Sequence, residues 1–291
     1  MAGLPVSVRP AKPAPYGLVT SETLVTSSDA HWMQGVQLDR SRCSRYATTY
    51  ASCDVELRGA SYGSLPGSGS PTVNPLSIPI GMSATDTCTT TFGRDVQYAQ
   101  RVAKDALEAC TSKLLERELW AGDIALQDDG SSFPTFASLD ASVDYLNSAG
   151  SPVKPSQGFA MLERAIGNAG CGEVGAVHMT RDVASILALH VKQEGAVLRS
   201  VLGNLVVAGT GYTGTTPTDL TPAADEAWMY ATAVPSVYLG DIVVDDQPTR
   251  LVDGPDQITT TNTLIILAER LGVVLWDTCF IAAVKVDLSL E

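Results

Sequence analysis

The longest regular alternation of apolar and polar positions lies in residues 94–121, RDVQYAQRVAKDALEACTSKLLERELWA. Val96, Ala99, Ala103, Leu107, Cys110 and Leu114 recur at steps of three or four, and Ala106, Leu115, Leu119 and Trp120 widen the stripe near its end. The spacing predicts one helix, with Gly93 before it, Asp95 in its first turn and Gly122 as a left-handed stop. At 1.5 Å per residue such a helix is roughly 40 Å long, enough to span a flat or elongated body. Two shorter helical patterns follow. SQGFAMLERAIGNAG carries Phe159, Leu162, Ala165 and Ile166 on one face, with Ser156 as its N-cap and Gly167 or Gly170 as its stop. RDVASILALHVKQEG follows Thr180 as N-cap, ends at Gly195, and puts Val183, Ile186, Leu187 and His190 on one face.

Period-two patterning predicts strands elsewhere. Residues 46–57 and 76–91 read as the two arms of a hairpin around the turn-rich GASYGSLPGSGSPTVNP. Residues 174–179 and parts of 197–207 and 227–244 have strand character, the last broken by Pro235. In 283–291, Val284, Val286, Leu288 and Leu290 alternate strictly with Lys285, Asp287 and Ser289, the pattern of a half-buried strand. Residues 136–147 fit a short helix or a strand pair, and 262–275 a strand or a helical turn around AERLG. Residues 1–45 are Pro-rich and then polar. They read as an extended arm that must lie on something, such as another part of an assembly, or be disordered. The fold class is α+β, with no repeat of solenoid period.

Composition narrows the function. The 291 residues carry 45% hydrophobic and only 18% charged side chains, so many contacts must be made by small side chains and backbone. The formal net charge is −13, and Arg40, Arg42 and Arg45 form the only local basic cluster. A surface that grips a phosphate backbone needs more cations than this, which argues against a dedicated nucleic-acid binder. Cysteines at 43, 53, 88, 110, 171 and 279 form no C-x-x-C pair and no metal pattern with His31, His178 and His190. Cys110, on the apolar helix stripe, and Cys279, in an apolar strand, read as small hydrophobes, and reduced thiols are expected. The N-terminus has no apolar signal region, and the run 264–276, interrupted by Glu269 and Arg270, is too short to span a bilayer.

One stretch matches a chemical motif. Gly209, Gly211 and Gly214 satisfy G-x-G-x-x-G after the apolar NLVVA, but a dinucleotide site needs a helix to start there. The continuation TTPTDLTP holds Pro217 and Pro222, so the glycines read instead as loop residues that permit positive φ. No residue stands out as catalytic, and no cofactor or metal is expected.

Taken in order, the elements resemble the major capsid protein of tailed bacteriophages, with its Hong Kong 97-like fold. LEACTSKLLERELWAG is similar to the spine helix of capsid proteins of actinobacterial phages. GAVHMTRDVASILA and LGNLVVAGTGYTG resemble strand, helix and loop of the axial domain, and TNTLIILAERLGVVLWDTCFIAAVKVDLS the last strands. The resemblance implies an N-terminal arm (1–45), an extended β-hairpin loop (46–92) lying over a neighbouring subunit, a peripheral domain with the long spine helix (93–139 and 226–274), and an axial domain (140–225 and 275–291). It implies a non-enzymatic chain that self-assembles as pentamers and hexamers into an icosahedral shell. That shell encloses double-stranded DNA without reading its sequence, as part of a virion built in the host cytoplasm and without a membrane. Contact candidates between subunits are then Tyr62, Leu65, Pro66, Ile78, Ile80, Gly209, Gly211, Tyr212 and Gly214. Separate scaffolding, portal and decoration proteins are possible partners, since about 45 residues before the hairpin are too few for a fused scaffold. Some relatives join a loop lysine to a neighbour's asparagine. Residues 46–92 contain no lysine, so no cross-link through this loop is expected. The alternatives are an encapsulin-type nanocompartment shell and a soluble enzyme using the Gly209–Gly214 loop.

Overall fold

The computed structural model describes residues 12–27, 30–37, 77–89, 96–123, 134–147, 151–169, 174–216, 223–245, 249–250, 263–278 and 280–290. The long helix forms as α1, Val96–Ala121. Gly122 ends it at φ +70° with its N–H on the Glu118 carbonyl (2.8 Å), a left-handed stop that a side chain would strain. Its buried stripe runs Ala99, Ala103, Leu107, Thr111, Leu115 and Leu119, a strict four-residue step. That step passes through Thr111 instead of Cys110, and Cys110 is exposed. The expectation of a buried thiol there fails because steps of three and four rotate the stripe differently along so long a helix. Cys279 lies outside the described residues.

Two sheets flank α1. The first is built on β11, Thr263–Leu275, which runs as strand straight through AERLG. One edge of β11 pairs antiparallel with β1, Ile80–Thr89, along its whole length. The other edge pairs in turn with β10 (Thr249–Arg250), β9 (Val243–Val244) and β8 (Ser236–Leu239). Ile80, Met82, Ile266 and Ala268 point at α1 and are buried. The first arm of the expected hairpin, 46–57, lies outside the described residues, and the partner seen for its return arm is β11.

The second sheet has seven strands in the order β2, β12, β7, β3, β6, β5, β4. These are Asp144–Tyr145, Ile281–Asp287, Glu226–Ala233, Gly175–Thr180, Leu205–Gly209, Val197–Ser200 and Val191–Glu194. The β2–β12 and β3–β6 pairs are parallel, the others antiparallel. Helices α2 (Pro155–Ala169) and α3 (Arg181–Ile186) cover one face with Phe159, Leu162, Ile166 and Val183, joined by Leu187 just after α3. The other face meets the end of α1 through Trp228, Tyr230, Ala283, Trp120 and Phe136.

Several local expectations give way to this packing. Residues 283–291 are not a half-buried strand: β12 is buried on both faces until Asp287, and a 3-10 turn, Leu288–Leu290, follows. Lys285 is accommodated there by Glu226 on the neighbouring strand, 2.6 Å away. The helix expected over 181–194 stops after Ile186 with one further 3-10 turn, Leu187–Leu189. VKQE becomes β4, folded back on β5 by a turn with Gly195 at φ +64°. Cross-strand pairing of Val191 with Ser200 outweighs a helical period that only Val183 and Leu187 satisfy with burial. His190 is consequently exposed. Thr180 holds the N-cap position of α3 without a side-chain cap bond, its hydroxyl turning to Asp182. Pro155 opens α2 one residue before Ser156, where a missing N–H costs nothing. Residues 136–147 form turns, a 3-10 turn at Asp140–Ser142 and the short β2.

Candidate functional site

The glycine loop after β6 is the one chemical motif of the sequence, and the structure shows what it does. Gly211 is pressed against α1: a Cβ there would collide with the Lys113 carbonyl oxygen and lie 2.7 Å from the Arg117 nitrogen. Its amide donates to Glu116 Oε2 at 2.8 Å, and the Thr210 hydroxyl reaches the same oxygen at 3.2 Å. The other oxygen, Oε1, accepts from the Leu18 amide (2.8 Å) and from Ser112 Oγ (2.7 Å). Glu116 is fully buried, so this carboxylate has exchanged water for four donors drawn from three segments. The anion cradled by the G-x-G-x-x-G loop is therefore the chain's own. Gly214 alone of the three glycines has positive φ, +75°.

Beside this joint lies an aromatic layer. Trp120 packs against Tyr212 (centroids 4.7 Å apart), Tyr230 (5.0 Å) and Phe136 (5.6 Å), and its indole N–H donates to the Thr215 carbonyl at 2.7 Å. Trp276 closes the layer and donates to the Pro134 carbonyl at 3.0 Å. His178, in the middle of β3, is 1% exposed. Its Nε2 lies 2.9 Å from Thr232 Oγ1 and its Nδ1 2.8 Å from the Tyr212 hydroxyl. Thr232 spends its own proton on the Ala233 carbonyl, so it accepts from Nε2–H, and Tyr212 donates to Nδ1. This network assigns a neutral imidazole. Burial pushes His178 down from 6.5 to about 3, and it raises Tyr212 well above 10, helped by the Glu116 charge. Both groups stay neutral at pH 7, bonded to each other, with no room for a substrate between them.

The residues singled out as subunit contacts fall in different places. Tyr62, Leu65 and Pro66 lie outside the described residues. Ile78 is 37% exposed, while Ile80 is buried under α1. Gly209, Gly211, Tyr212 and Gly214 are buried within the chain itself. Exposed apolar side chains gather at one end of the seven-stranded sheet, and Val243 of β9 is exposed on the first sheet. The register Val191↔Ser200 brings the end of the 3-10 turn beside the β5–β6 turn, and Val174 precedes β3, the neighbour of β6. Leu189 (93% exposed), Leu202 (74%), Val201 and Val174 all sit there. A groove of about 540 Å³ opens on the first sheet's outer face, between Met33, Gly81, Ser83, Val243, Glu269 and Leu271. Among the described residues no three His, Cys, Asp or Glu side chains come together as a metal site. None of their helices is long and apolar enough to cross a membrane. The periodicity missed Glu116, though a Glu between Leu115 and Leu119 with Ser112 one turn back is a visible break in a buried stripe.

No protein-family model matches the chain, and no curated protein matches its sequence. Solved structures do. The capsid of the empty GTA particle computed with C5 symmetry superposes with a TM-score of 0.50 at 12% identity, over 99% of this chain and 95% of that one. A structure from Mycobacterium phage Che8 gives 0.48 at 11% identity, over 97% and 94%. The holo-SrpI encapsulin complex from Synechococcus elongatus PCC 7942 gives 0.46 at 8%, over 74% and 77%. The mixed helix-and-sheet fold described above is thus shared with that GTA capsid protein.

Proposed function

We propose that this chain is the major capsid subunit of a tailed phage, copies of which close into an icosahedral shell around double-stranded DNA. The observation that carries the reading is end-to-end agreement in fold with a capsid subunit, over 99% of this chain. Composition agrees: few charges, many small residues and a net charge of −13 suit a subunit that meets several copies and does not adhere to packaged DNA. In this reading α1 is the spine. The sheet of β1 and β8–β11 belongs to the peripheral domain, and the seven-stranded sheet to the axial domain. We place the crossings between them at Pro235 and Trp276, because β7 pairs within the seven-stranded sheet. Of the loop expected over 46–92, β1 belongs to the peripheral sheet; the part that precedes it is the loop that reaches a neighbour, and the chain has no catalytic role. Copies meet through the exposed end of the axial sheet, at Leu189, Val201 and Leu202.

Electron microscopy of the purified full chain tests this. Shells, tubes or rings of subunits are the expected products, and Leu189→Asp with Leu202→Asp should leave single subunits that melt at the wild-type temperature. Wild-type chain that stays monomeric at millimolar concentration refutes the reading. Nucleic acid inside shells recovered from the native source, read by absorbance and nuclease protection, separates a virion from a nanocompartment.

A further inference from the structure

Residues 15–25 are bonded in turn to both sheets and to the helix between them. The Pro15 carbonyl accepts from Arg181 Nη1 (3.0 Å), and the Tyr16 carbonyl from the Ala208 amide of β6 (2.8 Å). Leu18 donates to Glu116, Val19 to Ser112 Oγ at 3.2 Å, and Glu22 pairs with Arg199 of β5 at 2.6 Å. At the far end the Val25 amide donates to the Val237 carbonyl (2.8 Å) and the Val237 amide to the Thr23 carbonyl (2.7 Å), which adds the segment to β8. The segment is a strap. It is held in a bend that disfavours itself: Tyr16 has φ +68°, a left-handed conformation unfavourable for a bulky side chain. Gly17 follows, where a Cβ would collide with Glu116 Oε1 and lie 2.6 Å from Ser112 Oγ.

We propose that Glu116 is a latch that seats the strap and the 209–216 loop on α1 together, so that lifting either one loosens the other. The two oxygens of a single rigid carboxylate divide the work, Oε1 taking the strap and Oε2 the loop. If Leu18 leaves, a buried carboxylate loses one of its four donors. The carboxylate must then turn toward whatever replaces it, and turning removes Oε2 from Gly211 and Thr210. Gly17 and Gly211 are the two close approaches that make the geometry possible, one on each side of the carboxylate. The coupling is reciprocal, as any linkage between two binding events must be. It also rests on bonds within one chain and does not depend on shell assembly. A neighbour that pulls the strap from its bend thereby reaches the loop and the aromatic layer behind it.

Hydrogen–deuterium exchange on the full chain tests the latch, read at the Leu18 and Gly211 amides. Gly17→Ala sets a methyl group against Glu116 Oε1 and Ser112 Oγ on the strap side of the carboxylate and touches nothing in the loop. It should still speed exchange at Gly211 by roughly tenfold or more. Gly211→Ala should do the same at Leu18, and Glu116→Gln at both. Exchange that quickens only within 15–25 for Gly17→Ala, with Gly211 within about twofold of wild type, overturns the proposal. Should these variants lose their near-ultraviolet aromatic signal, Thr210→Val decides the matter, since it removes a single donor. Faster exchange at both amides supports the latch, and faster exchange at Gly211 alone overturns it.

Discussion

Acid should unfold this chain partly through one histidine. His178 is buried and neutral, and in the folded chain it takes a proton only near pH 3, whereas in the unfolded chain it does so near 6.5. Between those values the unfolded state binds more protons, so stability is fully present above pH 6.5 and falls as pH drops toward 3. From pH 7.5 to 5.0 the gap spans about 1.5 pH units, and at 1.36 kcal/mol per unit the loss is about 2 kcal/mol. Any folded value below about 4 gives the same loss at pH 5, so the figure depends on burial and not on the depth of the shift. The charged ring would face the Tyr212 O–H that now donates to it, and Thr232, whose proton is committed to Ala233. Urea unfolding of wild type and His178→Gln at both pH values isolates this contribution from the carboxylates, which the two proteins share. Wild type should lose about 2 kcal/mol more than the variant on acidification. Equal losses would show that the imidazole is not held neutral, and the hydrogen-bond assignment around it would fall.

Trp120→Ala should cost about 3–5 kcal/mol, from lost packing against three rings, while Trp120→Phe should cost roughly 1 kcal/mol for the bond to Thr215. Thermal melts ranking the two equally would contradict the aromatic layer. Lys285→Ala strands Glu226 at a partly buried position and should destabilise by roughly 1–3 kcal/mol, discounted because Glu226 retains some solvent contact. Lys285→Met should recover part of that in the same melts if packing of the stem matters. Mature particles should run as single-chain bands on denaturing gels, because residues 46–92 hold no lysine; covalent ladders that map to this loop would overturn the expectation.

What could be read from the residues was what depends on short range. The period of α1, the stop at Gly122 and the strand before Arg181 each follow from a handful of neighbours. The strand–helix confusion over 187–194 arose because VKQE has no preference strong enough to choose, and the choice was made by VLRS across the Gly195 turn. Likewise AVKVDLS alternates as an edge strand would, but α2 and the aromatic layer bury it from both sides, and no local pattern reports a second covering layer. The joint was least legible. Glu116, Gly211 and Gly17 become partners only when segments about a hundred positions apart are folded together, and the motif around Gly211 pointed to a foreign anion.

The pairing of β7 with β12 carries a kinetic consequence. These two strands form an antiparallel pair whose connection is the whole of residues 234–280, an excursion that builds most of the other sheet before returning. Closing such a loop from an unstructured chain costs about 3 kcal/mol of entropy. Once β8 and β11 have paired, the two ends already lie close, and most of that cost has been met. The order of folding is thereby biased: the excursion first, the seven-stranded sheet sealed last. A nascent chain released before residue 281 lacks β12, and exposes the flank of β7 to whatever strand comes next.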